Sequence, residues 1–168
     1  MKKNLDNFNK LNLGDATYLL LQACHCGTWA QQVLEYRPFY SFEQLILKSS
    51  EIFLSLNNRC WLEAFQAHPK IGSIESLKEK FKSTSVMAKS EQKLVTVADV
   101  NLLHEVRKYN EDYEKKFGFI FIVFASGKSA LEILNLLKDR INNSLEDELQ
   151  NAAIEQNKIT NLRLEKLL

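Results

Sequence analysis

Apolar residues recur along this chain at helical rather than strand spacing. Ala16, Leu19, Leu20 and Ala23 share one face of a first predicted helix, which Asp15 can cap and Gly27 should end. A short helix from Thr28 through Trp29, Val33 and Leu34 stops before Arg37-Pro38, because proline pushes the residue before it out of the α region. Ser41 with Gln44 has the spacing of a capping box. Phe42, Leu45, Ile46, Phe53 and Leu56 then mark the inner face of a longer helix ending near Asn57-Asn58. Trp61, Leu62 and Phe65 belong to the next, which Pro69 should stop at or before His68.

Ile74, Leu77 and Phe81 predict another short helix, followed by a loop at Ser83-Thr84-Ser85. Thr96 with Asp99 can cap a long helix bearing Leu102, Leu103, Val106, Tyr109, Tyr113 and Phe117 on one side, which Gly118 closes. Residues 119–124 are continuously apolar, and a lone strand would find no partner, so a short, extended, mostly buried connector is expected. Ser129 and Glu132 box the next helix, with Leu131, Leu134, Leu137 and Ile141 facing inward. Ser144 starts the last, whose stripe runs through Leu145, Leu149, Ala152, Gln156 and Ile159. Arg163 lies eighteen residues past Leu145, about five whole turns, and so points toward the core side. It either meets an anion there or snorkels near the chain end.

The fold expected is all-α, in a single multi-helix domain over residues 1–168 with a polar lead-in at 1–12 whose order depends on docking. Five glycines and two prolines are too few for a turn-rich β fold. A net charge of +1, from 22 basic and 21 acidic residues, gives no electrostatic reason to expect nucleic acid or an acidic membrane as partner. A small-molecule ligand suits that balance better. No run reaches the roughly 20 apolar residues of a membrane span. Leu21-Gln22-Ala23-Cys24 resembles a lipoprotein cleavage site, but Asp6 and Asp15 stand where a signal peptide is basic, so a soluble chain is expected. Three cysteines, Cys24, Cys26 and Cys60, suit a reducing compartment. No metal site is expected, since Cys24-His25-Cys26 would point to different faces of one helix. Gly127-Lys128-Ser129 lacks the earlier glycine of a phosphate loop, because Ile122 occupies that position.

His68-Pro69 is the sharpest local chemistry. An imidazole at a helix C-terminus sits beside carbonyls that favour its protonated form, so proton transfer is physically open to it. A surface histidine before a turn is the plainer reading of the same residues.

Three clusters, Ala67-His68-Pro69-Lys70-Ile71-Gly72, Ser90-Glu91-Gln92 and Phe117-Gly118-Phe119-Ile120-Phe121-Ile122, together resemble the 2-oxo-4-hydroxy-4-carboxy-5-ureidoimidazoline (OHCU) decarboxylases of urate breakdown. Cys24, Trp29-Ala30, Arg37-Pro38-Phe39, Trp61-Leu62, Arg140, Asn142 and Arg163-Leu164 agree in order and approximate spacing. The resemblance implies an all-helical homodimer that forms S-allantoin without a cofactor, and because Lys166-Leu167-Leu168 lacks the serine of a peroxisomal tail signal, a cytoplasmic location is the default expectation. By matched position it implies His68, Glu91 and Arg163 as the catalytic residues. Pro69, Gln92, Phe119, Ile120, Phe121 and Ile122 would bind substrate. Ala88, Ile120 and Ser73 stand where the family often has serine, proline and aspartate, and a non-catalytic helical ligand-binding or interaction protein on the same scaffold is the alternative.

Overall fold

The structure is a computed structural model that describes residues 2–68 and 97–168, with side chains from Asn4 and from Val100 onward in those two stretches. The described residues form eight α-helices and no strand. They fall into two compact units, one of Met1–His68 with Leu149–Leu168, the other of Pro69–Glu148.

In the first unit the helices are α1 (Lys2–Lys10), α2 (Leu13–Ala23), α3 (Gly27–Leu34), α4 (Phe42–Ser55) and α5 (Asn58–Gln66). The polar lead-in forms α1 because two apolar residues one turn apart, Leu5 and Phe8, are buried. Arg37 Nη1 donates to the carbonyls of Phe8 and Leu11 at 3.0 and 3.1 Å, tying down the C-terminal end of α1. Asn9 exchanges hydrogen bonds with the Phe39 backbone in both directions. These anchors lie some thirty residues away, beyond the reach of local periodicity.

Asn12, rather than Asp15, caps α2 by accepting from the Asp15 N–H. Gly27 opens α3 instead of ending α2: Cys26 caps α3 through its sulfur, and Cys24 closes α2. Burial follows the expected faces with local shifts, since Leu19 and Ile46 are half-buried while Ser49 and Ile52 are buried. Both indoles hang from α4, Trp29 Nε1 on the Ser49 carbonyl at 3.1 Å and Trp61 Nε1 on that of Phe53 at 2.8 Å. Buried donors so paired hold α3 and α5 in register with α4 as well as filling the core.

The second unit contains α6 (Val97–Phe117) and α7 (Ala130–Arg140), which pack on each other, and the start of α8 (Leu145–Leu167). Gly118 closes α6 at φ +77°, its N–H on the Glu114 carbonyl. Residues 120–125 have no regular structure, and Phe119, Phe121 and Ile122 are buried, as expected of the connector. Ser129 and Glu132 form a full capping box on α7. Its inner face is Ile133, Leu134 and Leu137; Leu131 is exposed, because it lies in the first turn on the solvent side. Leu145 is likewise exposed at the start of α8, whose buried line runs through Glu148, Leu149, Ala152, Ala153, Gln156, Thr160 and Leu164. The expected helix around Ile74, Leu77 and Phe81, the loop at Ser83-Thr84-Ser85 and the Thr96/Asp99 cap lie outside the described residues or side chains.

Candidate functional site

Helix α5 ends at Gln66, Ala67 caps it, and the His68 N–H donates to the Phe65 carbonyl at 3.1 Å. The half-buried imidazole places Nε2 2.6 Å from Gln156 Oε1 on α8. Gln156 is fully buried, and its Nε2 donates to Thr160 Oγ1 at 3.2 Å, while the Thr160 hydroxyl donates back to the Gln156 carbonyl at 3.0 Å. The Cys24 thiol is in hydrogen-bond contact with that same hydroxyl. Burial pushes it up to about 12, against the smaller opposing influences of Thr160 and Arg163, so it remains a thiol at neutral pH. The Cys26 thiol, pushed up to about 11 by burial, is equally inert as a nucleophile and serves as a cap.

Arg163 does turn inward. It is half-buried, and Nη1 donates to the Ala23 carbonyl at 3.1 Å, at the last residue of α2. A guanidinium at the negative end of a helix finds partial charge compensation while keeping other donors of its fork for an oxygen ligand. Gln156 and Arg163 are seven residues apart, about two turns or roughly 10.5 Å along α8, so they share one side of that helix. The structure thus attaches His68 and Arg163 to one helix face within one unit.

The connector residues Phe119, Ile120, Phe121 and Ile122 belong to the other unit. Tyr113 packs edge-on against Phe119 and Phe121, with ring centroids 5.8 and 5.0 Å away. Arg140 lies 4.6 Å over the Phe121 ring and donates from Nη1 to the Ile122 carbonyl at 2.9 Å. Its Nε and Nη2 donate to Glu148, whose other oxygen accepts from Asn143 at 2.8 Å. The Tyr113 hydroxyl also donates to Glu148; burial first, and then that carboxylate, push the tyrosine above its ordinary range. Glu148 is fully buried, so this is a dry ion pair with its oxygens satisfied, fixing the path of the connector. Pro69, Glu91 and Gln92 lie outside the described residues.

Sequence reasoning placed Gln156 on the inner stripe without giving it a partner, and did not find Thr160 or Glu148. A buried glutamine requires hydrogen-bond partners, so its place among apolar neighbours was the available signal.

The model of the family described as OHCU decarboxylase matches residues 9–165. The uric acid degradation bifunctional protein TTL of Arabidopsis thaliana is 40% identical over 146 residues, covering 86% of this chain and 44% of that protein. A 2-oxo-4-hydroxy-4-carboxy-5-ureidoimidazoline decarboxylase of Halalkalicoccus jeotgali is 29% identical over 140 residues, covering 83% of this chain and 74% of its own. A crystal structure of OHCU decarboxylase in the presence of (S)-allantoin superposes with a TM-score of 0.69 at 34% identity, covering 88% of this chain and 94% of the other. The chain spans less than half the length of the bifunctional relatives it matches.

Proposed function

The chain belongs to the OHCU decarboxylase family, and from that premise we propose that it decarboxylates 2-oxo-4-hydroxy-4-carboxy-5-ureidoimidazoline to S-allantoin in urate breakdown. Loss of carbon dioxide leaves an electron pair on carbon, and the adjacent ring carbon–nitrogen double bond of this substrate can receive it. The substrate is its own electron sink, so the reaction proceeds without a cofactor. The protein supplies a proton, orientation and charge complementary to the developing anion.

In this reading His68 is the proton-transfer group. Glu91 accepts hydrogen bonds from ring or ureido N–H groups and biases the charge of the imidazole, while Arg163 offers its planar fork to a substrate oxygen. Pro69, Gln92, Phe119, Ile120, Phe121 and Ile122 bind the substrate, Gln92 with both a donor and an acceptor for the amide-like arm. Protonation from one side by a held group creates the single enantiomer that water would not. Residues 1–168 act as one catalytic domain, paired as a cytoplasmic homodimer with no nucleic-acid or membrane partner. No helix of the described residues is long and apolar enough to cross a membrane.

The observation that carries this reading is the tie of His68 to α8 through Gln156, on the helix side that also bears Arg163. The test is to add the chain to freshly generated urate-oxidation intermediates and follow allantoin by circular dichroism. The expected result is rapid growth of one enantiomer, with most of the rate lost in His68→Asn at unchanged helical content. A rate equal to buffer supports the non-catalytic alternative, whose basis is Ala88 and Ile120.

A further inference from the structure

Which of the two atoms in the 2.6 Å contact between His68 Nε2 and Gln156 Oε1 carries the hydrogen follows from the far end of the amide. Thr160 spends its one hydroxyl hydrogen on the Gln156 carbonyl, one helical turn back. Its oxygen then has only lone pairs to offer, and a group facing it must bring a hydrogen. The Gln156 amide nitrogen, 3.2 Å away, is that group. With that nitrogen turned to Thr160, the amide oxygen faces the imidazole, and an amide oxygen only accepts. Nε2 therefore bears a hydrogen in both the neutral and the charged ring. Gln156 and Thr160 are both at 0% exposure, so bulk water does not compete for either end of the amide.

We propose that Gln156 is a positioning residue for His68: by holding the hydrogen on Nε2 it makes Nδ1 the atom through which the imidazole exchanges its proton with substrate. The neutral ring takes a proton on the Nδ1 lone pair and becomes an imidazolium with both nitrogens protonated. Return of the proton from Nδ1 restores the neutral ring, and the Nε2 hydrogen stays in place throughout. The proposal rests on the reading of His68 as the proton-transfer group. It adds the atom, the tautomer and the residue that sets both. The hydrogen bonds from His68 to Gln156 and from Gln156 to Thr160 then run in one direction, and replacing the amide removes the oxygen that faces Nε2.

Nitrogen-15 spectra of the full chain labelled at histidine test the tautomer without reference to activity, with His68→Asn identifying the His68 signal among the three histidines. In the unsubstituted chain the neutral His68 ring is expected to carry its hydrogen on Nε2, with an N–H correlation protected from exchange. Gln156→Met, close in shape but lacking the amide, should lose that correlation, and Gln156→Glu, which keeps an oxygen acceptor, should retain it. In allantoin formation Gln156→Met is expected to lower kcat about tenfold with KM moved by less than about twofold, and Gln156→Glu to restore most of kcat. A hydrogen on Nδ1 of the neutral ring in the unsubstituted chain overturns the proposal, and this holds even where Gln156→Met fails to fold. An unchanged kcat in folded Gln156→Met overturns the positioning role alone. Absence of turnover in a chain that shows the expected tautomer overturns the proton-transfer reading of His68 instead, so the two failures are distinguishable.

Discussion

Arg140→Met removes one half of the buried ion pair that fixes the connector, and its cost can be worked from the contacts. Glu148 has no exposed side-chain surface and Arg140 has 12%. The substitution deletes two charge-assisted bonds to Glu148 and the donor to the Ile122 carbonyl. Among the described residues it leaves a carboxylate out of water with Tyr113 and Asn143 as its side-chain partners. Breaking a buried pair from one side costs about 3–5 kcal/mol, most of it the stranded charge. For a chain of this length each kcal/mol lowers Tm by about 2–4 °C, so calorimetry should show a fall of roughly 6–20 °C. The double variant Arg140→Met/Glu148→Met has no stranded charge and should recover much of the loss, with a coupling energy of about 2 kcal/mol. Recovery stays incomplete because Tyr113 and Asn143 lose their acceptor. A single variant that melts within about 2 °C of the unsubstituted chain would refute the reasoning, because it would mean that the pair is solvated.

Stability should fall as pH rises above the ordinary thiol value: Cys24 and Cys26 have folded values raised from 9.0 to about 12 and about 11, so the unfolded chain ionises first. Urea titrations between pH 9 and 12 should show a slope of up to about 1.4 kcal/mol per pH unit for each thiol, and Cys24→Ala should flatten it. Arg37→Ala should undock α1, costing about 1–2 kcal/mol and opening residues 4–11 to hydrogen exchange; unchanged protection would show that Leu5 and Phe8 suffice. Gly118→Ala meets no atom within 4 Å but sits at φ +77°, so its cost should be pure backbone strain of about 1 kcal/mol in chemical denaturation. Arg163→Leu should raise KM at least about tenfold while costing only about 1 kcal/mol of stability, the worth of one bond to the Ala23 carbonyl; unchanged kinetics would show that the guanidinium does not meet substrate.

What could be read from sequence was what local chemistry encodes. The Ser129/Glu132 box, the glycine stop at Gly118 and the end of α5 before His68-Pro69 each depend on residues within one turn, and the structure has all three. Gly27 was misleading because glycine signals a helix end by default, whereas here a cysteine sulfur starts a new helix beside it. Helix α1 was hidden because its nine residues hold only two buried apolar side chains, and its docking groups belong to residues 37–39. Apolar periodicity points to Leu145 as the start of the α8 stripe, but the first buried position is one turn later and acidic, Glu148, paired with Arg140. The inward turn of Arg163 followed from periodicity, yet its carbonyl partner did not, and neither did the contact of His68 with Gln156, 88 residues away. Residue types announce that partners are needed; only the fold says which.

In the proposed reaction His68, Glu91 and Arg163 act on one small heterocycle. A crystal structure of the chain with (S)-allantoin tests it most directly. The expected result is the ligand within hydrogen-bond distance of the imidazole, the carboxylate and the guanidinium at once, with His68 Nδ1 toward it. Allantoin bound elsewhere, or these three groups opening onto separate surfaces, would contradict the account.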